Sequence, residues 1–368
     1  MSTDISPPGR ERACDRCLTR SWLIERLGGH LDKAGPKVSN VLALPDGELI
    51  AALAGRRRAE VERELRQLDL VQLREQAKSA RLEPICRCDP AYPARLLSLA
   101  SSPAVLYVAG GLERALGLLE RETVAIVGAR RASGYGLDVA RSLGRGLVAS
   151  GITVISGMAL GIDSAAHAGA LTAHGATVAV LPGGADRPYP PSRRALYDRI
   201  VATGAVVSEL PAGASVRRWT PVARNRIIAA LATMTVVVEA RPRSGALVTA
   251  AWARDLGRAL GAIPGRVTSE LAAGPNGLIR DGATLIESTQ DVLDVLFGQG
   301  AVSYADRVRP PLDQRLEELL AAVDTGHDTL AALARAGFGA EQALTGLSEL
   351  ELMGYVTRRP GGRFEVVP

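Results

Sequence analysis

Aromatic residues make up only 4% of this 368-residue chain, with 3 Phe and 3 Trp. A protein that reads bases mainly by stacking carries more. Any contact to a nucleic acid should therefore lean on phosphates. Lysine is nearly absent: Lys33, Lys37 and Lys78 are the only ones, and arginine supplies the rest of the 44 basic groups. A GC-rich genome accounts for that bias, yet its physical consequence stands, because guanidinium forks suit bidentate phosphate contacts. No uninterrupted apolar run is long enough to span a bilayer. The opening MSTDISPPGRERACDRC lacks the apolar stretch of a signal peptide. A cytoplasmic protein with no membrane partner is the expectation.

What is present is an ordinary core-forming composition, 47% hydrophobic and 23% charged, which excludes disorder over most of the chain. The net charge of +5 is unevenly spread. Residues 121–290 carry 19 basic and 11 acidic groups, whereas residues 291–368 carry 7 and 12. A phosphate-bearing partner belongs in the middle of the chain.

Hydrophobic spacing divides the chain. Residues 1–82 read as a small helical domain of SAM-like or helix-hairpin type, with apolar positions such as Leu18, Trp22, Leu23 and Leu27 at helical spacing. Residues 83–120 read as a connector, rich in proline, with one strand at Val105–Val108. Residues 121–297 alternate Val/Ile/Ala strands with amphipathic helices. That pattern predicts an α/β, Rossmann-like doubly wound parallel sheet covered on both faces. Residues 298–311 read as a linker. Residues 312–368 read as three helices and a hairpin, a winged helix. Its third helix carries Glu341, Glu349 and Glu351 and no basic group. Phosphates would be repelled there, so a protein-binding role is expected of it.

Ligands of open parallel sheets bind beyond the carboxyl ends of the strands. Three strand ends carry Ser-Gly: Ser133-Gly134, Ser156-Gly157 and Ser244-Gly245. Glycine lets backbone N–H groups approach a phosphate, and each following helix offers its positive end. The first loop, GARRASGYG from Gly128, is not GxGxxG, and no acidic residue ends the second strand. A dinucleotide site wants both features, and no Walker Gly-Lys-Ser/Thr follows. No cofactor is therefore expected. Arg130 instead faces an external phosphate chain or, structurally, pairs with Glu239. A second cluster runs Arg217, Arg218, Trp219, Arg224, Asn225, Arg226, read as preceding a helix at Ile227–Ala232 and so pointing at an anion. Arg241 and Arg243 follow the fifth strand of this region and face the same end.

The segments SGMALGIDSAAHAGAL (156–171), AVLPGGADRPYP (179–190), SELPAG (208–213), RNRIIAAL (224–231), VVVEARPRSGALVTAAWA (236–253) and GPNGLIRDGA (274–283) resemble the DprA/Smf family of DNA-processing proteins. The resemblance covers essentially all of residues 121–290. It implies a Rossmann-like single-stranded-DNA (ssDNA) binding protein that protects incoming strands in natural transformation, helps load the RecA recombinase and forms homodimers. The family's Gly-Ser-Arg loop matches Gly128-Ala129-Arg130, with alanine in place of serine. Its Arg-Asn-Arg matches Arg224-Asn225-Arg226, and its basic residue before Ser-Gly matches Arg243-Ser244-Gly245. The aromatic before Arg-Asn-Arg departs from the family's Phe-Pro, leaving Trp219 as the candidate for stacking.

The rival class is a nucleotide-processing enzyme of phosphoribohydrolase type. Leu181-Pro182-Gly183-Gly184 is similar to the Pro-Gly-Gly of those enzymes, but Ala185-Asp186-Arg187 follows where they carry Gly-Thr and a catalytic Glu. Asp163, Asp186, Glu209 and Glu239 are the nearby carboxylates, and no acid/base pair emerges from their spacing. Cys14, Cys17, Cys86 and Cys88, a CxxC and a CxC, can supply four thiolates to zinc; reduced free thiols are the alternative. His167 and His174 share a helix face without an acidic partner, and His167 reads as a structural hydrogen-bonding histidine.

Overall fold

The structure, a computed structural model, describes residues 11–173, 177–299, 312–353, 355–359 and 361–366. Its centre is a nine-stranded sheet. The strands are β1 (Glu83–Cys86), β2 (Val105–Ala109), β3 (Thr123–Val127), β4 (Thr153–Ser156), β5 (Thr177–Val180), β6 (Ala205–Ser208), β7 (Met234–Val237), β8 (Ala259–Ala262) and β9 (Thr284–Leu285). Their order is β1-β2-β6-β5-β4-β3-β7-β8-β9. From β6 across to β9 every pairing is parallel, while β1 with β2 and β2 with β6 are antiparallel. The order turns back at β3, whose neighbours are β4 and β7. That reversal is the topological switch point, where the crossing chains diverge and leave a crevice.

Alternation along β3 shows how the sheet is buried twice. Ala125 and Val127 enter one core, shared with helices Leu112–Glu120, Thr220–Leu231 and Gly245–Asp255. Val124 and Ile126 enter the opposite core, shared with helices Gly134–Ala149, Ile162–Thr172 and Thr289–Phe297. All five β3 residues are buried, as the unbroken apolar run requires. Residues 83–120 are more than a connector: they supply β1, β2 and a helix packed into the first core. The reason is that β2, VLYVA, is buried at every position and so completes the sheet beyond β6.

The N-terminal helices pack on the sheet region through their own core. Leu23, Leu27, Leu31, Leu49 and Val61 share it with Leu210, Ala214, Trp219 and Ala223. Trp219 is thereby 3% exposed, so it is no surface for stacking a base. Its apolar area serves domain docking instead, and its backbone N–H donates to Asp32 at 3.1 Å.

The C-terminal segment has helices Gln314–Asp324, Leu330–Arg335 and Ala340–Leu352, then β10 (Val356–Arg359) paired antiparallel with β11 (Arg363–Val366). It is a winged helix with a separate core of Leu316, Leu319, Leu333, Leu347 and Phe364. Glu349 of the third helix is bonded to Arg315 at 2.6 Å.

His167 is fully buried, with Nδ1 2.7 Å from the Thr177 hydroxyl. That hydroxyl donates to Val154 O at 2.9 Å, so it accepts from His167. The ring is held neutral with Nδ1 protonated, and burial lowers its pKa to about 3. His174 lies outside the described residues. Among the described residues, no helix is long and apolar enough to cross a membrane.

Candidate nucleic-acid interface

A cleft of about 240 Å³ opens at the carboxyl ends of β3 and β7. Gly128, Ala129 and Arg130 form one wall; Ser244, Gly245 and Thr249 form the other. Arg224, Asn225 and Asp163 lie along its floor. This is the crevice that the strand reversal demands, and the two sequence clusters meet in it.

The floor is electrostatically organised. Arg224 is 5% exposed, and its Nη1 donates to Val180 O at 2.7 Å. The guanidinium lies against Gly157, where a Cβ would sit 1.7 Å from Nη1, so only glycine admits it. Burial lowers the pKa of Arg224 to about 10, opposed by Asp163, and it stays charged at neutral pH. Asp163, also buried, accepts from the N–H groups of Gly157 (3.2 Å) and Ala159 (3.4 Å). Burial raises its pKa, while Arg224 pulls it down. The carboxylate thus fixes the loop after β4 and partly offsets the buried arginine. From sequence Asp163 is only a nearby acid, and its GIDSAA setting carries no signal of this clamp.

Arg130 lines the cleft, Arg131 follows it in the first loop, and Arg243 directly precedes the cleft-lining Ser244. These three and Arg218 are exposed, and among the described residues none makes an ion pair or side-chain hydrogen bond. Arg130 does not pair with Glu239, which is occupied by Ser133: the Ser133 hydroxyl donates at 2.5 Å and its N–H at 2.9 Å. Arg243 adopts φ +64°, a left-handed conformation that costs a non-glycine residue energy. The strain sits at the rim of the cleft, immediately before Ser244. Ser244 Oγ is buried and has no hydrogen-bond partner among the described residues. It lines the cleft at the start of helix Gly245–Asp255, where a donor and a positive helix end coincide.

The other sequence-derived positions separate by role. Helix Thr220–Leu231 begins seven residues earlier than the arginine-rich run suggested, because Pro221 sits in its first turn. Arg224, Asn225 and Arg226 therefore occupy the helix middle, on three different faces, and do not crown its N-terminus. Arg226 points away from the cleft into the protein. It is 1% exposed and forms a two-pronged ion pair with Glu209, at 2.8 and 2.6 Å, plus bonds to Ser101. No strand can reach it. Arg217 leans on Gly28 and approaches Glu25 at 3.7 Å, joining the N-terminal helices to the sheet region. Asn225 donates to Gly245 O at 3.1 Å and ties the floor of the cleft to its second wall.

Of the three Ser-Gly junctions, only the last keeps a free hydroxyl. Ser133 caps helix Gly134–Ala149 through Gly136 N. Ser156 donates to Ile126 O at 2.6 Å, and the Gly157 N–H is taken by Asp163. Gly134 stands exposed with open space where a Cβ would be. Tyr135 follows it, 55% exposed, with its hydroxyl on Pro264 O at 3.2 Å. It is the exposed aromatic beside the first loop that the sequence reading passed over.

Known proteins share the sequence and architecture of this chain. The family model for DNA recombination-mediator protein A matches residues 83–297, and that for the DprA winged helix domain matches residues 305–362. The protein Smf of Synechocystis sp. is 34% identical over 313 residues, covering 75% of this chain and 78% of that protein. The X-ray structure of DNA processing protein A from Streptococcus pneumoniae superposes with a TM-score of 0.62 at 33% identity, covering 76% of this chain and 95% of that one. DNA processing protein A from Helicobacter pylori, solved for its single-stranded DNA binding mode, gives 0.51 at 29% identity, over 55% and 92% of the two chains. The chain belongs to the DprA/Smf family of DNA-processing proteins.

Proposed function

We propose that this chain is a non-enzymatic ssDNA-binding protein of the cytoplasm. In this reading it acts as a homodimer, protects incoming strands and helps load the RecA recombinase during natural transformation and recombination. The observation that carries the reading is the cleft at the β3/β7 switch point. Exposed Arg130, the buried charged Arg224 and the Ser244 hydroxyl, partnerless among the described residues, line it, and exposed Arg131 and Arg243 adjoin lining residues in sequence. Such a surface neutralises successive phosphates without reading bases, which gives sequence-independent, salt-sensitive binding. The H. pylori relative's ssDNA binding supports it.

The carboxylates favour binding over hydrolysis. Asp163 accepts two backbone N–H groups, Glu239 is held by Ser133, and Glu209 is held by Arg226. Asp186 accepts from Gly213 N at 3.0 Å. Each has a structural occupation, and none is poised as an acid or base towards a substrate.

The test is fluorescence anisotropy with labelled ssDNA and matched duplex over a salt series. Strand-selective binding that weakens with salt supports the reading. Equal binding to both forms, or release of free base from nucleoside monophosphates, overturns it. RecA filament formation on strands coated with single-strand-binding protein, and light scattering for the dimer, test the finer parts.

A further inference from the structure

The CxxC and CxC pairs lie about 70 residues apart in sequence, yet their sulfurs converge. Cys17 Sγ is 3.7 Å from Cys88 Sγ, and Cys86 Sγ is 3.8 Å from Cys14 Sγ. All four sulfurs lie within 4.8 Å of one another. A disulfide holds its sulfurs at about 2.05 Å, so these are thiols in contact and not bridges. A tetrahedral Zn²⁺ with Zn–S near 2.3 Å sets its sulfurs about 3.8 Å apart along each edge. The Cys17–Cys88 and Cys86–Cys14 distances fall on that edge length, and the remaining pairs stay within 4.8 Å.

We propose that Cys14, Cys17, Cys86 and Cys88 form a tetrathiolate site for one structural Zn²⁺, clamping the first helix to edge strand β1. Backbone geometry supports it independently of the sulfurs. Cys14 is the N-cap of helix Asp15–Arg26, and Cys17 lies in its first turn, where the positive end of the helix stabilises thiolates. The Cys14 N–H points at Cys86 Sγ from 3.4 Å, a donor to a metal-bound sulfur of the kind that tunes such sites. Cys86 closes β1, and its N–H donates to Arg12 O at 2.9 Å, so the chain before the helix is already laid against the strand. Four thiolates around Zn²⁺ leave a net charge of −2. The exposed arginines inside the two spacers, Arg16 and Arg87, supply two positive charges beside it. Cys17 and Cys86 are buried while Cys14 and Cys88 are exposed, so an ion can enter from one side.

The chemistry is closed: four sulfur ligands leave no open position for water, so the metal is structural and not catalytic. The N-terminal helices already share an apolar core with Trp219 and Ala223. Zinc adds a fixed point at the other end of the first helix.

The full-length protein, freed of any affinity tag and prepared under reducing conditions with zinc in the medium, should contain about one zinc per chain by inductively coupled plasma mass spectrometry. A mercurial reagent should release it, as followed with a chromogenic chelator. The exposed-ligand variant Cys88→Ser should fall below about 0.1 zinc per chain while keeping its helical circular dichroism, since three ligands hold the ion far less tightly. Wild-type protein that is folded but metal-free, and takes up no Zn²⁺ on titration, overturns the proposal. So does stoichiometric iron in place of zinc, or a pair of disulfides found by mass spectrometry in protein prepared without oxygen.

Discussion

Arg130 and Arg226 both come from arginine motifs of the family, yet they should fail in opposite ways. Arg130 is exposed and makes no ion pair among the described residues, so Arg130→Ala should leave the melting temperature unchanged. If Arg130, Arg131, Arg218 and Arg243 each neutralise one phosphate, the log–log salt slope for single strands is about −2.8, at roughly −0.7 per contact. Affinity then drops about 50-fold between about 50 and 200 mM salt. Removing Arg130 should flatten the slope to about −2.1, with a drop of about 20-fold over the same range. Arg226→Ala removes one partner of an ion pair whose side chains are 1% and 8% exposed. The orphaned Glu209 carboxylate should cost about 3–5 kcal/mol. For a domain of this size that is a fall in melting temperature of roughly 6–20 °C. Below that temperature the salt slope should match wild type. The assays are anisotropy across a salt series and thermal unfolding by circular dichroism, run on the same preparations. A wild-type slope in Arg130→Ala, or a flattened slope in Arg226→Ala at an unchanged melting temperature, refutes the division of roles.

Three further outcomes are expected. Gly157→Ala should displace the Arg224 guanidinium, since the new Cβ would lie 1.7 Å from Nη1, and should cost about 1–3 kcal/mol; in an Arg224→Ala background denaturant melts should show that cost shrink by about 1 kcal/mol or more. His167 is held neutral with its pKa lowered to about 3, so between that value and the unfolded value near 6.5 the unfolded chain binds more protons. Stability from this site is complete above about pH 6.5 and lost as pH falls, by about 2 kcal/mol at pH 5; denaturant titrations of His167→Asn should show a flatter loss, with Asp163, whose pKa burial raises, working in the opposite sense. Removing residues 312–368 should leave ssDNA affinity within about twofold, because the third winged-helix helix carries Glu341, Glu349 and Glu351, and of the wing's basic residues Arg358, Arg359 and Arg363 the last two are paired with Glu365 and Asp328; a tenfold loss by anisotropy would place the winged helix on the strand.

The parallel sheet was legible because β3 to β7 are short unbroken Val/Ile/Ala runs, a pattern imposed by burial on both faces. Strand β8 (ALGA) and the two-residue β9 carry no such run and were invisible to it. The arginine motifs were legible as chemistry but not as geometry. An arginine reads as surface, and nothing local shows that Arg226 meets a carboxylate 17 residues away or that Arg224 slides over a glycine. The helix start is hidden for the same reason: polar Arg224 and Arg226 break the apolar periodicity, although both are buried, and Pro221 is the better marker. The cysteine pairs were legible as spacing, but their convergence depends on long-range contacts that bring β1 beside the first helix.

The two ends of the nine-stranded order have a consequence for assembly. On one side the outermost strand, β1, spans four residues and contains Pro84, which has no N–H to offer a neighbour. On the other, β9 spans only two residues, both exposed. Neither rim presents a row of free backbone groups long enough to template a further strand. A second copy of this chain would therefore meet the first through side chains on helices and loops. Its interface could be tuned or broken by surface substitution without touching the backbone ladder that holds the β3/β7 cleft in place.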